Sequence, residues 1–497
     1  MPNDYDTLID RVREVGALAA VEELLGWDQE TYMPANGLNA RAEQLAAMAR
    51  ITHERQTSPQ IGELLSRLDG SITDPQSLAN LREIRRDYDR AVRIPADLVA
   101  RIARASSLAR EAWASARKAS DFSLFSSNLE ELLAMKREVA ELLGYDGEPY
   151  DALLDEFEPG ERAETVAAVF AALRKPLSDF VRQLSEAKKR PDASILHRRF
   201  PRDAQAAFAR KLSEAIGFDF DSGRIDVSTH PFCSGTTPGD VRLTARYDET
   251  FFSPAIFGVL HETGHGLYEQ GLDPAHRFTP MGAAVSLGLH ESQSRLWENI
   301  VGRSRAFWEG HYPDCRTAFH EALGDVSLDD FVGAINSVQP SMIRVEADEV
   351  TYNLHIILRF ELERDMISGS LSVKDIPEAW NAKMQDLLGI APANDAEACL
   401  QDIHWSMGGF GYFPTYTLGN LYAAQFYAAA ERDIPDLTDR IRGGDCRTLL
   451  DWLRANIHCH GQRYRAGELV EKVTGRPLSI QPLMDYLRAK FSPIYGL

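Results

Sequence analysis

Cysteine is scarce in this chain. Five occur in 497 residues, Cys233, Cys315, Cys399, Cys446 and Cys459. The number is odd, the spacings are wide and no CxxC occurs, so no disulfide framework is expected. Long apolar runs are missing too: none reaches the roughly 18 residues a membrane span requires. The opening MPNDYDTLID is acidic and lacks an apolar signal core. Positive charge is in deficit. Lys plus Arg total 54 against 74 Asp plus Glu, a formal charge of −20, and such a surface repels phosphate backbones and anionic lipid. Nucleic-acid and membrane partners are therefore set aside, and a soluble, cytoplasmic protein is expected. Low-complexity tracts, sequence repeats and an obvious linker are also lacking. With 44% hydrophobic residues the chain can bury a large core, and residues 1–497 are read as one domain.

What is present is helical periodicity. Leu8, Ile9, Val12, Val15, Leu18, Val21 and Leu24 recur at three- to four-residue steps within 5–26, which keeps one face of a helix apolar. Similar patterns run through 37–51, 76–92, 97–118, 126–143, 163–186 and 203–216. They continue at 253–270, 283–303, 344–365, 376–388, 417–432 and 447–457. Two stretches alternate instead and are rich in β-branched residues, GRIDVSTHPF (223–232) and GDVRLTARYD (239–248), with a Gly/Thr/Pro turn between them. The expected fold is mainly α, one large helical domain with a small β-sheet.

The chemistry concentrates in VLHETGHGLYEQ, Val259 to Gln270. In a helix His261 and His265 lie about 40° apart around the axis and about 6 Å apart along it, so both imidazoles can reach one ion. Glu262, about 60° beyond His265, can meet a water on that ion. This is the HExxH arrangement, two ligands and a general base on one helix. A solvated helix with an ordinary i,i+4 pair would show the same letters, but the flanks here are apolar on both sides. Gly264 and Gly266 each cost a helix roughly 1 kcal/mol relative to Ala, which suggests close packing there. A third ligand must come from elsewhere. Glu269 lies about 12 Å along the helix from His261, too far to close the site. The metzincin continuation is absent, because Tyr268 and Gly271 stand where its glycine and third histidine would be. The segment LGLHESQSRLWEN offers His290, Glu291 and Glu298 on an expected helix after an intervening loop. Glu291 follows a small, apolar approach and is preferred as ligand, with Glu298 a charge partner of Arg295 or Arg303. Two histidines, a glutamate and an open position form the usual zinc-peptidase set.

Other ordered segments surround these: GWDQETYMP (26–34), HPF (His230 to Phe232), DVRLT (Asp240 to Thr244), HESQS after HETGH, IRVEAD (Ile343 to Asp348), QDIHW (Gln401 to Trp405) and GYFPTYTLGN (411–420). Together, and nearly end to end, the chain resembles the carboxypeptidase Taq family of zinc metallocarboxypeptidases, whose DxRxT, IRxxAD and GxxQDxHW patterns these segments match. One departure is Ala398, where the last pattern has glycine; it bears on the local backbone, not on the chemistry. The resemblance implies a mainly helical zincin with a deep central groove and two helical halves, like neurolysin and angiotensin-converting enzyme, and a homodimer. It carries over His261, His265 and Glu291 as ligands of one Zn2+ per chain and Glu262 as catalytic base. Cobalt or manganese could substitute, since N/O donor sets accept several metals.

The expected reaction is release of single residues from peptides with a free C-terminus, by water that zinc activates. Glu262 takes the water's proton and passes it to the leaving amine. The oxyanion needs further donors; His404, Tyr412 and Tyr416 are the candidates, and the resemblance favours Tyr416 and His404. A packed aromatic loop is the plain alternative for that segment. A terminal carboxylate calls for a guanidinium. Arg344 and Arg242 are the candidates, and the resemblance favours Arg344. Arg344 could instead pair with Asp348 at i,i+4 on a helix, and Arg242 could form a ladder with Asp240 and Thr244 on one strand face. His230 is a further cleft candidate. The HCH of His458, Cys459 and His460 is declined as a metal site, because residues i and i+2 diverge on a helix, and its histidines are expected at the surface. An oligopeptidase or dipeptidase using the same HExxH chemistry is the first alternative, and a non-catalytic zinc scaffold the second; the intact Glu262 argues against the latter.

Overall fold

A computed structural model describes residues 3–497. They are mainly helical, with one small three-stranded sheet. None of the described helices is long and apolar enough to cross a membrane. The chain divides into two compact units. The first comprises Met1–Val92, Asp192–Ile335 and Tyr422–Leu478, the second Arg93–Pro191, Asn336–Leu421 and Ser479–Leu497.

In the first unit the N-terminal periodicity becomes the helix Asp4–Thr31, started by Asn3, whose side chain accepts from the Asp6 amide at 2.8 Å. Leu8 and Ile9 pack on Ile61, Leu64, Leu65 and Leu68, the i, i+3, i+4, i+7 face of the helix Pro59–Leu68. A second cluster in this unit is aromatic. The Phe252 ring lies 5.1 Å from that of Phe200 and 5.6 Å from those of Phe319 and Phe331. Each ring buried this way contributes on the order of 1.5–3 kcal/mol. That cluster anchors the first residue of the helix Phe252–Glu269, which is buried along most of its length.

The sheet differs from the expected pair of strands joined by a turn. Strands β1 (Gly223–Val227) and β3 (Asp240–Ala245) run parallel, and β2 (Cys233–Thr237) pairs antiparallel with β3, giving the order β1-β3-β2. The CSGTT of β2 has turn-like composition, and ladder pairing overrides it; its register slips between Gly235 and Thr237. Alternation along β3 buries Val241, Leu243 and Ala245. Leu243 meets the helix Phe252–Glu269 at Gly266, where an added Cβ would stand 3.0 Å from Leu243 Cδ2.

The second unit contains the antiparallel helices Ala96–Ala119 and Ser123–Leu143, the helix Ala163–Glu186, and the helix Tyr352–Ser368, which is buried on all sides from Tyr352 to Phe360. The last of these was expected to begin at residue 344. It begins eight residues later because Asp348 folds the chain into a cap. The Asp348 carboxylate accepts from the amides of Val350 at 2.9 Å and Thr351 at 3.0 Å. Arg344 therefore lies on a separate short 3-10 turn, Arg344–Glu346, and the alternative of an ion pair with Asp348 gives way to one with Asp402.

A candidate metal centre and its supports

The HETGH residues sit mid-helix in Phe252–Glu269, and the ring centroids of His261 and His265 are 4.8 Å apart. The close packing expected at the glycines is specific. A Cβ on Gly264 would lie 2.6 Å from Ser294 Cα and 2.7 Å from the Gln293 carbonyl oxygen. Without a side chain at 264, the helix Leu287–Arg295 comes into backbone contact, and that helix carries Glu291. Ser286 starts it, its hydroxyl accepting from the Leu289 amide at 3.1 Å. The continuous helix expected over 283–303 instead starts at Leu287 and opens into a π-helical turn at Leu296–Val301.

His261, His265 and Glu291 converge, each with a donor atom within 4.8 Å of the others. Glu291 Oε2 is 3.5 Å from His261 Nε2 and 3.4 Å from His265 Nε2. Donors about 2.0–2.2 Å from a tetrahedral zinc ion lie roughly 3.3–3.6 Å from one another, so the donor set fits the ion the family resemblance implies. Glu291 Oε1 faces away and accepts from Arg295 Nε at 2.7 Å, which leaves Oε2 toward the histidines. Burial opposes ionisation of Glu291, yet Arg295 and the two imidazoles hold its carboxyl well below the usual range. Burial pulls His265 down to about 3, with His290 adding to the effect, so its imidazole is neutral and able to ligate. Burial pushes the adjacent Glu262 up to about 7; His261 opposes that and Glu291 reinforces it.

Glu298 is not among the converging donors. It pairs with Arg295 at 3.1 Å and Arg303 at 3.5 Å, and it also meets His261 Nδ1 at 2.9 Å. That contact fixes the tautomer with Nε2 as the free acceptor. Two further supports escaped the sequence reading. His290 Nε2 bonds Glu269 Oε1 at 2.8 Å, and its ring stacks on His265 at 4.4 Å. His458 is fully buried, not at the surface as expected; its Nε2 bonds Gln293 Oε1 at 2.8 Å. It braces the helix carrying Glu291 from behind, and Gly271 makes room for its ring. Nothing in HCH distinguishes this use, since the partner lies 165 residues away.

Also in the first unit, Arg242 bonds Asp240 through Nε at 2.8 Å and through a terminal nitrogen at 2.9 Å, and it covers Trp27 at 4.2 Å. Thr244, expected on the same face, is fully buried, with its hydroxyl oxygen 2.8 Å from Ser228 Oγ. His230 is exposed in the β1–β2 connection, where its carbonyl accepts from Ser228 Oγ at 2.7 Å.

The second unit gathers the remaining candidates. Arg344 donates to Asp402 Oδ1 from Nε at 3.0 Å and from Nη2 at 2.8 Å, and to the Tyr352 hydroxyl at 2.8 Å. Arg359 donates to the other Asp402 oxygen at 2.6 Å. Two guanidiniums thus share one carboxylate, leaving this buried trio a net positive charge. Against the cost of burial, they hold Asp402 far below the usual carboxylate range. The Arg344 guanidinium stands 5.1 Å from the centre of the Tyr416 ring. Tyr416 Oη meets His404 Nε2 at 3.5 Å, and the Tyr412 ring centroid is 5.3 Å from that of His404. Burial pulls His404 down to about 4; Asp402 opposes this and the two arginines add to it. Its imidazole is neutral near pH 7. Asp402 lies inside QDIHW, but nothing in that motif announces a two-arginine clamp.

The model of the carboxypeptidase Taq (M32) metallopeptidase family matches residues 7–491. Thermostable carboxypeptidase 1 of Thermus thermophilus is 49% identical, with 99% of each chain covered. Carboxypeptidase 1 of Bacillus subtilis is 39% identical, with 98% of each covered. The crystal structure of an M32 carboxypeptidase from Deinococcus radiodurans superposes with a TM-score of 0.96 at 40% identity, covering all of both chains. A match of this extent leaves no part of the architecture outside the comparison, and the chain belongs to the carboxypeptidase Taq (M32) family of metallopeptidases.

Proposed function

We propose that the protein is a zinc-dependent carboxypeptidase that removes single residues from peptides with a free C-terminus. The observation that carries this reading is the convergence of His261, His265 and Glu291 with Glu262 on the same helix. The N2O donor set suits zinc, and one ion per chain is expected. When bound there, the ion supplies Lewis acidity, polarising the scissile carbonyl and making water nucleophilic near neutral pH.

The chain's own residues do the rest. Glu262, raised into the neutral range by burial, accepts the proton of the attacking water and returns it to the leaving amine. Neutral His404 and the Tyr416 hydroxyl donate to the developing oxyanion, and Tyr412 packs beside them. Arg344 meets the terminal carboxylate of the substrate, supported by the net positive charge it shares with Arg359 and Asp402. Arg242 and His230 are assigned to the substrate-binding surface on the family motifs DxRxT and HPF. The reading extends to one catalytic domain over 1–497 with a neurolysin-like groove, and to a cytoplasmic homodimer.

Glu262→Gln tests the mechanism. The variant should keep its metal content, measured by elemental analysis, while kcat falls by about 10²–10⁴-fold. Turnover at the wild-type rate would contradict the assignment of Glu262 as base.

A further inference from the structure

Glu363 is fully buried in the second unit, on the helix Tyr352–Ser368. No ion pair to its carboxylate exists among the described residues. Instead it accepts three hydrogen bonds: from Tyr150 Oη at 2.6 Å, from Trp405 Nε1 at 2.9 Å and from the Gly411 amide at 3.0 Å. Two of these donors bracket the aromatic loop. Trp405 follows His404, and Gly411 precedes Tyr412. The third, Tyr150, belongs to the short helix Pro149–Leu154, the same helix that the loop touches at Gly411. Gly411 has φ +93° there, and a Cβ on it would stand 2.7 Å from the Leu153 carbonyl oxygen. The loop is thus pressed on one helix and tied at both ends to another.

We propose that Glu363 is a positioning residue for the reaction: its carboxylate holds the 404–412 loop at both ends and so sets where His404 stands. This rests on the reading of that loop as the source of oxyanion donors. A buried carboxylate is a costly way to fill a core. Burial pushes this one up to about 7, against its three donors and Arg359. An ionised carboxyl offers both oxygens as acceptors with no proton of its own to place. A glutamine has the same shape but must turn its NH2 either toward Trp405 Nε1–H or toward the Gly411 amide. Either way one end of the loop faces a donor and is released.

A double-mutant cycle in the metal-loaded enzyme tests this. Glu363→Gln should lower kcat by about 10- to 100-fold, the scale of a misplacement near 1 Å, with KM and metal content unchanged. Combined with His404→Ala, it should cost nothing beyond the His404→Ala loss, because the two act as one unit. A Glu363→Gln enzyme at wild-type kcat, or losses that multiply in the double variant, would overturn the proposal. If His404→Ala alone keeps wild-type kcat, the reading of the loop fails instead, and the proposal with it. Tyr150→Phe removes one donor outside the loop and guards against a Glu363→Gln chain that does not fold. A kcat loss of about two- to fivefold is expected, again absent in the His404→Ala background; wild-type kcat would count against the clamp.

Discussion

Glu298 decides which nitrogen of His261 is free. Its contact with Nδ1 at 2.9 Å leaves Nε2 toward Glu291 and His265. Burial opposes ionisation of Glu298, but Arg295, His261 and Arg303 bring its carboxyl down to about 2, so it stays an acceptor throughout the working range. Arg295 acts similarly on Glu291, occupying Oε1 and leaving Oε2 for a ligand bond. Removing such an outer carboxylate costs about 10–100-fold in metal affinity. Glu298→Ala should weaken zinc binding by that factor, measured by competition with a chromophoric chelator, in protein whose circular dichroism is native. Unchanged affinity would show that His261 needs no orienting partner. The sequence marked Glu298 as a charge partner of Arg295 or Arg303, and both pairs form. Its bond to His261 was not legible, because it depends on how two helices are set against each other, not on spacing within one.

At the scale of the element, two glycines on one helix make opposite predictions. A Cβ on Gly258 meets nothing within 4 Å, whereas one on Gly264 strikes the backbone of Gln293 and Ser294. Gly258→Ala should stabilise the protein by roughly 0.5–1 kcal/mol through helix propensity. Gly264→Ala should destabilise it by about 1–3 kcal/mol through overpacking and lower metal affinity as well, since the displaced helix carries Glu291. Denaturant unfolding of both variants checks the signs; stabilisation by Gly264→Ala would mean the helix approach is looser than described. That close packing was readable from the two glycines flanking His265, Gly264 and Gly266. Helices with a strong apolar period were readable too: 163–186 and 376–388 coincide with Ala163–Glu186 and Ile376–Leu388. The elements that were missed fail for physical reasons. β2 exists only because β3 offers it a ladder, and the early start predicted for the Tyr352 helix ignored an aspartate whose carboxylate turns the chain just before that helix. Short helices such as Leu328–Ile335 and Leu437–Arg442 are too brief to show a period.

At the scale of the whole molecule, buried histidines tie stability to pH. Burial pulls His458 from 6.5 down to about 3, with Arg454 and His290 adding to it. The folded state therefore binds that proton only well below the pH at which the unfolded chain does. Stability linked to neutral His458 is complete above about 6.5 and is lost as pH falls toward 3. The metal-free protein should melt at lower temperature at pH 5 than at pH 7, and His458→Gln, which can keep a bond to Gln293, should flatten that slope. An identical slope in the variant would remove His458 from the account. Function was legible at this scale because several short motifs occur in one order along the chain, while each alone is ambiguous: Arg344 and Arg242 are both engaged by aspartates in their own units. The central claim is that activated water attacks the last peptide bond and no other. The most direct measurement is mass spectrometry of a mixed peptide set incubated with the zinc-loaded protein, each peptide also supplied with an amidated C-terminus. The account expects a ladder of single C-terminal losses from the free acids, abolished by a chelator and strongly reduced for the amides. Internal cleavage at equal rates in acids and amides would contradict it.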